Sequence, residues 1–217
     1  RVLPQAGDTI SVEPLGQAED TPLAMTVPEL TIAWDVDTNA IGGRATPGGS
    51  IVFTVSDAID RGMTGPQNRR AQPDIQADGS YTAAFVPQVD LAPGMEMVAQ
   101  YRVPAGHIAV RSRVTPLLNV QYGGANVCGF AEPLSQVTAT AEDPQGTWIG
   151  QGSTEAGYRS AYGLQLLAAN GDLLATGRGN KVSAVLSGKV VSMTLPALDV
   201  QVDWSTGTIQ GTGPARS

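Results

Sequence analysis

The segment Asp35-Val36-Asp37-Thr38-Asn39 has the residue types and the spacing of a calcium-binding loop. Oxygen ligands at alternate positions are what Ca²⁺ takes from such a loop. A complete loop would continue with Gly and, further on, Glu, whereas Ala40-Ile41 follow Asn39 here. Asp and Asn also form ordinary turns by bonding to nearby backbone. Two alternatives follow: a turn without metal, which the sequence favours, or a calcium site formed by Asp35, Asp37 and Asn39. We expect no other cofactor.

The chain has few residues suited to catalysis, because His107 is its single histidine and Cys128 its single cysteine. One histidine excludes a two-histidine metal site, and a nucleophilic thiolate needs a neighbouring base that the sequence does not supply. No glycine-rich segment follows a strand and opens a helix, as a phosphate-binding loop does. We therefore expect no enzymatic activity, a hairpin position for His107 and an unreactive thiol at Cys128.

Two segments, 56–77 and 142–154, are predicted to be long loops at equivalent places, and they carry the residues most suited to recognition. Long connections between strands often carry binding function. An arginine cluster suits an acidic partner. One alternative is solvated loops without a ligand; the other is a binding site for a glycan or protein formed by Arg61, Arg69, Arg70 and Trp148.

The elements that carry these residues repeat along the chain, which is the strongest pattern in the sequence. Residues 25–30 read Met-Thr-Val-Pro-Glu-Leu, and residues 193–198 read Met-Thr-Leu-Pro-Ala-Leu. Residues 41–55 match residues 127–141 without a gap. These matches predict a repeating unit of about 80–90 residues, a normal size for a small β-sandwich domain.

Further matches fix the predicted register of the unit. Asp35 and Ile41 match Asp203 and Ile209. Residues 78–85 match residues 155–162, which makes Tyr158 the predicted equivalent of Tyr81 in the second copy. Three short segments are assigned to the end of the unit: Gly7-Asp8, Gly106-His107 and Gly179-Asn180.

This register predicts two complete domains, 28–115 and 116–195. Residues 1–27 are predicted to be the last strands of a preceding repeat, and residues 196–217 the first strands of a following one. Together these two fragments lack the middle of a unit. Because the sequence opens Arg1-Val2-Leu3-Pro4 without an initiator Met, we expect it to be a piece of a longer protein.

Each unit is predicted to be all-β. Residues 50–55 and 136–141 alternate apolar and polar side chains, as half-buried strands do. Gly and Pro number 26 and 15, and Asp-Gly, Pro-Gly and Asn-Gly pairs separate the strands. The apolar segment 161–169 is predicted to be non-helical, because its matched segment contains Pro87. We expect the tryptophans in the core, since Trp34, Trp148 and Trp204 form no regular stripe.

A resemblance follows from the pattern Ile-x-Gly-x-Ala-x-Pro-Gly-x-x-Ile at residues 41–51 and Ala-Asp-Gly-Ser-Tyr at 77–81. It resembles the bacterial immunoglobulin-like (Ig-like) repeats of secreted and cell-surface proteins, and the related transthyretin-like, carboxypeptidase-regulatory modules. The second copy departs from it, with Pro133-Leu134 in place of Pro-Gly and Ala156 in place of the turn Gly. The resemblance implies tandem Ig-like β-sandwich domains that serve as stalk, spacer, adhesin or filament, without catalytic residues.

Charge and hydropathy limit the classes of partner that we expect for this chain. The net charge of −7 disfavours nucleic acid, and no apolar run approaches the ~20 residues of a membrane span. We expect a noncatalytic structural or adhesive module, extracellular or at the cell surface. Its partners would be other copies of the array or cell-surface and matrix proteins. Two alternatives are a module that binds glycan or protein as an accessory to a larger secreted protein, and a filament subunit assembled by β-strand complementation.

Overall fold

The computed structural model describes residues 4–12, 23–57, 69–86, 88–203 and 205–213. Across these residues the chain is all-β, which confirms the predicted fold class at that level. It divides into two compact units, Arg1–Arg113 and Val114–Ser217. In the described ranges no helix is long and apolar enough to cross a membrane.

Unit 1 contains a hairpin, a three-stranded sheet and a four-stranded sheet. The hairpin consists of β1 (Thr9–Val12) and β2 (Leu23–Thr26). The three-stranded sheet has β4 (Ala40–Arg44) at its centre, between β3 (Ala33–Asp35) and β7 (Ser80–Ala83). The four-stranded sheet runs in the order β6 (Arg69–Ala71), β5 (Ser50–Asp57), β8 (Met95–Arg102) and β9 (Ile108–Val114).

Unit 2 has the same arrangement of sheets and ends in a hairpin. Its three-stranded sheet has β11 (Asn126–Phe130) between β10 (Leu117–Val120) and β14 (Ala161–Gln165). Its four-stranded sheet runs in the order β13 (Trp148–Glu155), β12 (Gln136–Glu142), β15 (Lys181–Leu186) and β16 (Lys189–Thr194). The hairpin consists of β17 (Asp199–Asp203) and β18 (Thr208–Thr212).

Each unit has its own hydrophobic core between its two sheets. Alternate residues of a strand point to one face, so Ile51, Phe53 and Val55 of β5 all point inward and are buried. They share one cluster with Ile41 and Tyr81 of the facing sheet, and the Phe53 and Tyr81 ring centroids are 5.3 Å apart. A second cluster fills unit 2 and contains Leu118, Val127, Val137, Val182, Ala184 and Leu186. Each unit is therefore a two-layer β-sandwich.

Tyr81 of unit 1 is structurally equivalent to Tyr162 of unit 2. The predicted equivalence of Tyr81 and Tyr158 is therefore wrong by four residues. The Tyr81 hydroxyl donates to the Thr31 carbonyl, and the Tyr162 hydroxyl donates to the Leu117 carbonyl at 3.1 Å. Tyr158 instead lies 40% exposed in the β13–β14 connection.

The physical reason lies in the turn before the tyrosine. Ser160 takes the left-handed conformation that Gly79 takes in unit 1, with φ angles of 68° and 85°. The carbonyls of these two residues accept equivalent bonds, from the amides of Ala131 and Ala45. Because a serine stands where a glycine was expected, the sequence match fell four residues early, with Ala156 at the place of Gly79 and Tyr158 at the place of Tyr81.

His107 lies after the turn that joins β8 to β9, where its carbonyl accepts a bond from Val103 N. The hairpin position is therefore confirmed. Its match to Asp8 and Asn180 is wrong, because those residues precede the first strand of the β1–β2 and β15–β16 hairpins. Both accept a bond from the residue after the second strand, Val27 or Leu195.

Strand positions agree with the predictions at most places. Residues 50–55 and 136–141 lie inside β5 and β12, and segment 161–169 begins as a strand rather than a helix. The predicted loop 142–154 is wrong: a tight turn at 143–147 leads straight into β13. The Asp143 carboxylate holds this turn by accepting the amides of Gln145 and Thr147. The limits 28–115 and 116–195 of the two domains remain predictions.

Candidate functional site

The predicted calcium ligands lie in the turn between β3 and β4, where the side-chain oxygens of Asp35 and Asn39 accept backbone amides. Asp35 Oδ1 accepts the amides of Asp37 and Thr38 at 2.9 and 3.3 Å. Asn39 is left-handed, with φ of 54°, and its Oδ1 accepts the Leu91 amide at 2.8 Å. The bonds within the turn account for an aspartate at position 35, and the left-handed conformation and the bond to Leu91 account for an asparagine at position 39.

The C-terminal hairpin repeats this turn at Asp203. Its Oδ1 accepts the amides of Ser205 and Thr206, and the Ser205 hydroxyl adds a third bond at 2.6 Å. These hydrogen bonds, that from the Ser205 hydroxyl first, lower the pKa of Asp203 to about 2. Among the described residues, no group of three or more His, Cys, Asp or Glu could hold a metal ion. The calcium site at Asp35, Asp37 and Asn39 stays a prediction.

Three of the four predicted recognition residues are described, and they lie on strands of different units. Arg69 and Arg70 are the first residues of β6 in unit 1, whereas Trp148 is the first residue of β13 in unit 2. Arg61 lies outside the described residues, as does Trp204.

Trp148 is 45% exposed, so its predicted position in the core is wrong. The cause is a register shift in the β12–β13 ladder: Ala141 pairs with Gly150 but Glu142 pairs with Trp148, which leaves Ile149 as an extra residue. Ile149 packs against the core in its place. Trp34 does pack against the core of unit 1, as predicted.

The single histidine and the single cysteine lie in different units. Cys128 is exposed on β11, the central strand of its sheet, where it pairs with Asn119 and Gly163. Its neighbours Val127 and Gly129 face the other way, and Val127 is buried.

Each terminal hairpin carries an exposed apolar face that none of the sequence predictions located. We call Ile10, Val12 and Leu23 the N-terminal face, and Leu198, Val200, Val202 and Ile209 the C-terminal face. Ile209 is 71% exposed, whereas Ile41 at the same place in the β3–β4 hairpin is 1% exposed. The repeat matches contained this signal, because they set apolar residues of the terminal segments opposite core residues of the complete units.

No protein-family model matches the chain, and no curated protein is significantly similar to it in sequence.

Proposed function

We propose that this protein is a noncatalytic structural module of an extracellular or cell-surface array, built from tandem Ig-like repeats. The observation that carries the proposal is the recurrence of one sandwich in both units. Each unit has the same order of strands in both sheets and the same tyrosine hydroxyl bonded to the backbone of the first strand region.

The strand order supports the Ig-like assignment. Numbered from β3 or β10, the first, second and fifth strands form one sheet, and the fourth, third, sixth and seventh form the other. A constant-type Ig domain separates the first, second and fifth strands from the third, sixth and seventh in the same way, but its fourth strand joins the first of these sheets; related sandwiches share the architecture without always sharing this topology. The motif at residues 41–51 supports the same assignment, since it forms β4, the turn at Gly48 and the start of β5.

The positive support is repetition itself: an array of small sandwiches places binding or anchoring parts at a fixed separation. Partners of the array would be further copies of the same repeat, or proteins of the cell surface and matrix.

Small-angle X-ray scattering tests the proposal. A compact globule of this length would have a radius of gyration of about 17 Å. We expect a clearly larger value, with an elongated distance distribution, at a concentration where forward scattering gives the mass of one chain. A value near 17 Å would contradict a spacer.

A second candidate function is ligand binding through Trp148, which the exposure of this side chain favours. An exposed indole offers a flat apolar surface on which a sugar ring or an aromatic side chain can stack. A glycan array probed with the unaltered chain, Trp148→Ala and an Arg69→Ala/Arg70→Ala variant tests it. We expect loss of signal with Trp148→Ala and retention with the control Tyr158→Ala; equal signals from all variants would exclude these residues as the site.

A further inference from the structure

We propose that the outer face of the four-stranded sheet of unit 2 binds a neutral glycan chain, which lies across the strands with one sugar ring stacked on the Trp148 indole. This inference rests on the second candidate function, ligand binding at Trp148, and adds to it the class of ligand and the residues that hold it. It does not depend on the proposed spacer role.

A row of hydroxyl and amide side chains crosses this sheet. Thr140 of β12 pairs with Gln151 of β13 on one side and with Ser183 of β15 on the other, and Ser183 pairs in turn with Ser192 of β16. The neighbours of Thr140 and of Ser183 along their strands are buried, so these side chains point to the outer face. We call the four residues the polar row. Because neighbouring strands lie about 4.8 Å apart, the row is about 14 Å long.

The Trp148 indole lies on the same face, beside the polar row. Trp148 pairs with Glu142, which follows Thr140 by two residues on β12 and therefore points the same way. The indole is 45% exposed, which leaves a flat apolar surface open to a ligand. A sugar ring has an apolar face of C–H groups and a rim of hydroxyls, so a ring stacked here extends its hydroxyls toward the polar row.

Two exposed leucines continue the row beyond the edge of β13. Leu167 pairs with Gln151, and Leu173 pairs with Leu167. Their side chains are 42 and 60% exposed. The surface is therefore apolar at the end that carries Trp148 and the leucines, and polar at the end that carries the serines. A glycan chain presents both C–H faces and hydroxyls along its length, so it matches both ends.

Charge decides among the classes of ligand. The polar row has no charged side chain, and the Glu142 carboxylate beside it is paired with Lys181 at 3.7 Å, although the chain as a whole has a net charge of −7. An anionic glycan or a phosphate group needs cationic partners, which this face does not offer in excess. A neutral glycan needs groups that both donate and accept. The Ser183 and Ser192 hydroxyls, 2.8 Å apart, use one proton for each other and keep one for a ligand.

The corresponding face of unit 1 lacks this combination. Thr54 is equivalent to Thr140, but its partner on the fourth strand of the unit is Arg70 instead of a glutamine. Ser56, two residues further along β5, pairs with Glu96. We therefore assign the site to unit 2 alone, and Thr54 supplies a control position in the same chain.

Three variants of the full chain test the site. Trp148→Ala removes the stacking surface. Thr140→Val/Ser183→Ala removes two hydroxyls of the polar row and changes the shape of the sheet little. Thr54→Val makes the same change as Thr140→Val at the equivalent position of unit 1. Circular dichroism checks that each variant keeps its β content.

Isothermal titration calorimetry gives the readout, with oligosaccharides of β-linked glucan, xylan, mannan and galactan as neutral probes and the sulfated form of each as the charged probe. We expect the unaltered chain and Thr54→Val to bind at least one neutral probe equally well, and to bind its sulfated form more weakly. Trp148→Ala should abolish this binding. Thr140→Val/Ser183→Ala should weaken it about tenfold, as the loss of two hydrogen bonds does.

The outcomes separate this inference from the function on which it rests. Loss of binding in Trp148→Ala with unchanged affinity in Thr140→Val/Ser183→Ala would refute the polar row but leave ligand binding at Trp148 standing. Tighter binding of a sulfated probe would refute the neutral class of ligand. An unaltered chain that binds none of the neutral probes would overturn the proposal as a whole.

Discussion

Tyr81 and Tyr162 each bring one polar group into a buried position and bond it to a backbone carbonyl. Replacing either tyrosine with Phe removes that bond and leaves the carbonyl of Thr31 or Leu117 with one partner fewer. We expect a loss of about 0.5–1.5 kcal/mol in the free energy of unfolding for each replacement. Chemical denaturation measures it, with the exposed Tyr122→Phe as a control that should change little.

The same two hydroxyls predict how stability depends on pH. Burial raises the pKa of Tyr81 and of Tyr162 above the ordinary tyrosine value near 10. Below pH 10 the hydroxyls are neutral in both states and their contribution is fully present. Above it the unfolded chain loses these protons first, so stability should fall as pH rises. Unfolding curves of the Tyr81→Phe/Tyr162→Phe variant should have a shallower alkaline slope; an unchanged slope would contradict the assignment.

The turn at Asp203 allows a test of the turn interpretation, in which the aspartate oxygen accepts hydrogen bonds within the turn instead of binding a metal ion. The Ser205 hydroxyl is the largest of the influences that lower the pKa of Asp203 to about 2. We expect Ser205→Ala to move this pKa up toward the ordinary aspartate value near 3.9. Carboxyl chemical shifts in an NMR pH titration measure it.

Repeating the titration with Ca²⁺ tests the calcium prediction at Asp35, where a selective shift of Asp35, Asp37 and Asn39 signals would support it.

At the scale of elements, the tyrosine bond requires a glycine in the neighbouring strand. A Cβ on Gly129 would collide with the Leu117 carbonyl, and one on Gly43 with the Thr31 carbonyl. We expect Gly129→Ala to cost about 1–3 kcal/mol, as overpacking does. Gly163→Ala on β14 is the matched control, because nothing lies within 4 Å of its Cβ position. Equal melting temperatures for the two variants would contradict the close approach.

The sequence predicted strands better than it predicted register. Alternation located β5 and β12, and the gapless match of 41–55 to 127–141 set Gly43 opposite Gly129, whose φ angles of 157° and 156° agree. Connections change length freely between repeats. The separation between equivalent residues of the two units is five residues shorter for Tyr81 and Tyr162 than for Gly43 and Gly129. The sequence match did not reveal this difference, because Ser160 occupies a position that is a glycine in unit 1.

The candidate sites were harder to predict than the strands for a related reason. The β13 segment contains Gly150 and Gly152, which resemble loop residues in sequence. In the structure they let the strand approach the Leu167 and Gln165 carbonyls closely. The bulge at Ile149, which turns Trp148 outward, depends on pairing with β12 and has no signature within β13 itself.

At the scale of the whole molecule, the two separate cores predict separate losses of stability. Ile51 belongs to the core of unit 1 and Leu186 to that of unit 2, and both are fully buried. We expect Ile51→Ala and Leu186→Ala each to cost about 2–5 kcal/mol in their own unit. Hydrogen exchange read by mass spectrometry should rise in peptides of the altered unit only. Equal increases in both units would indicate one cooperative structure.

The tyrosine bonds predict how each unit would respond to a pulling force. A pull on the chain ends of a unit first loads its outermost strands, and β3 is paired along one side only, with β4. The Tyr81 hydroxyl attaches the backbone just before β3 to β7, two strands away, and Tyr162 attaches β10 to β14 in the same manner. Peeling the first strand away therefore breaks a side-chain attachment as well as the ladder. In a single-molecule stretching experiment, the Tyr→Phe variants should yield at lower force than the unaltered chain.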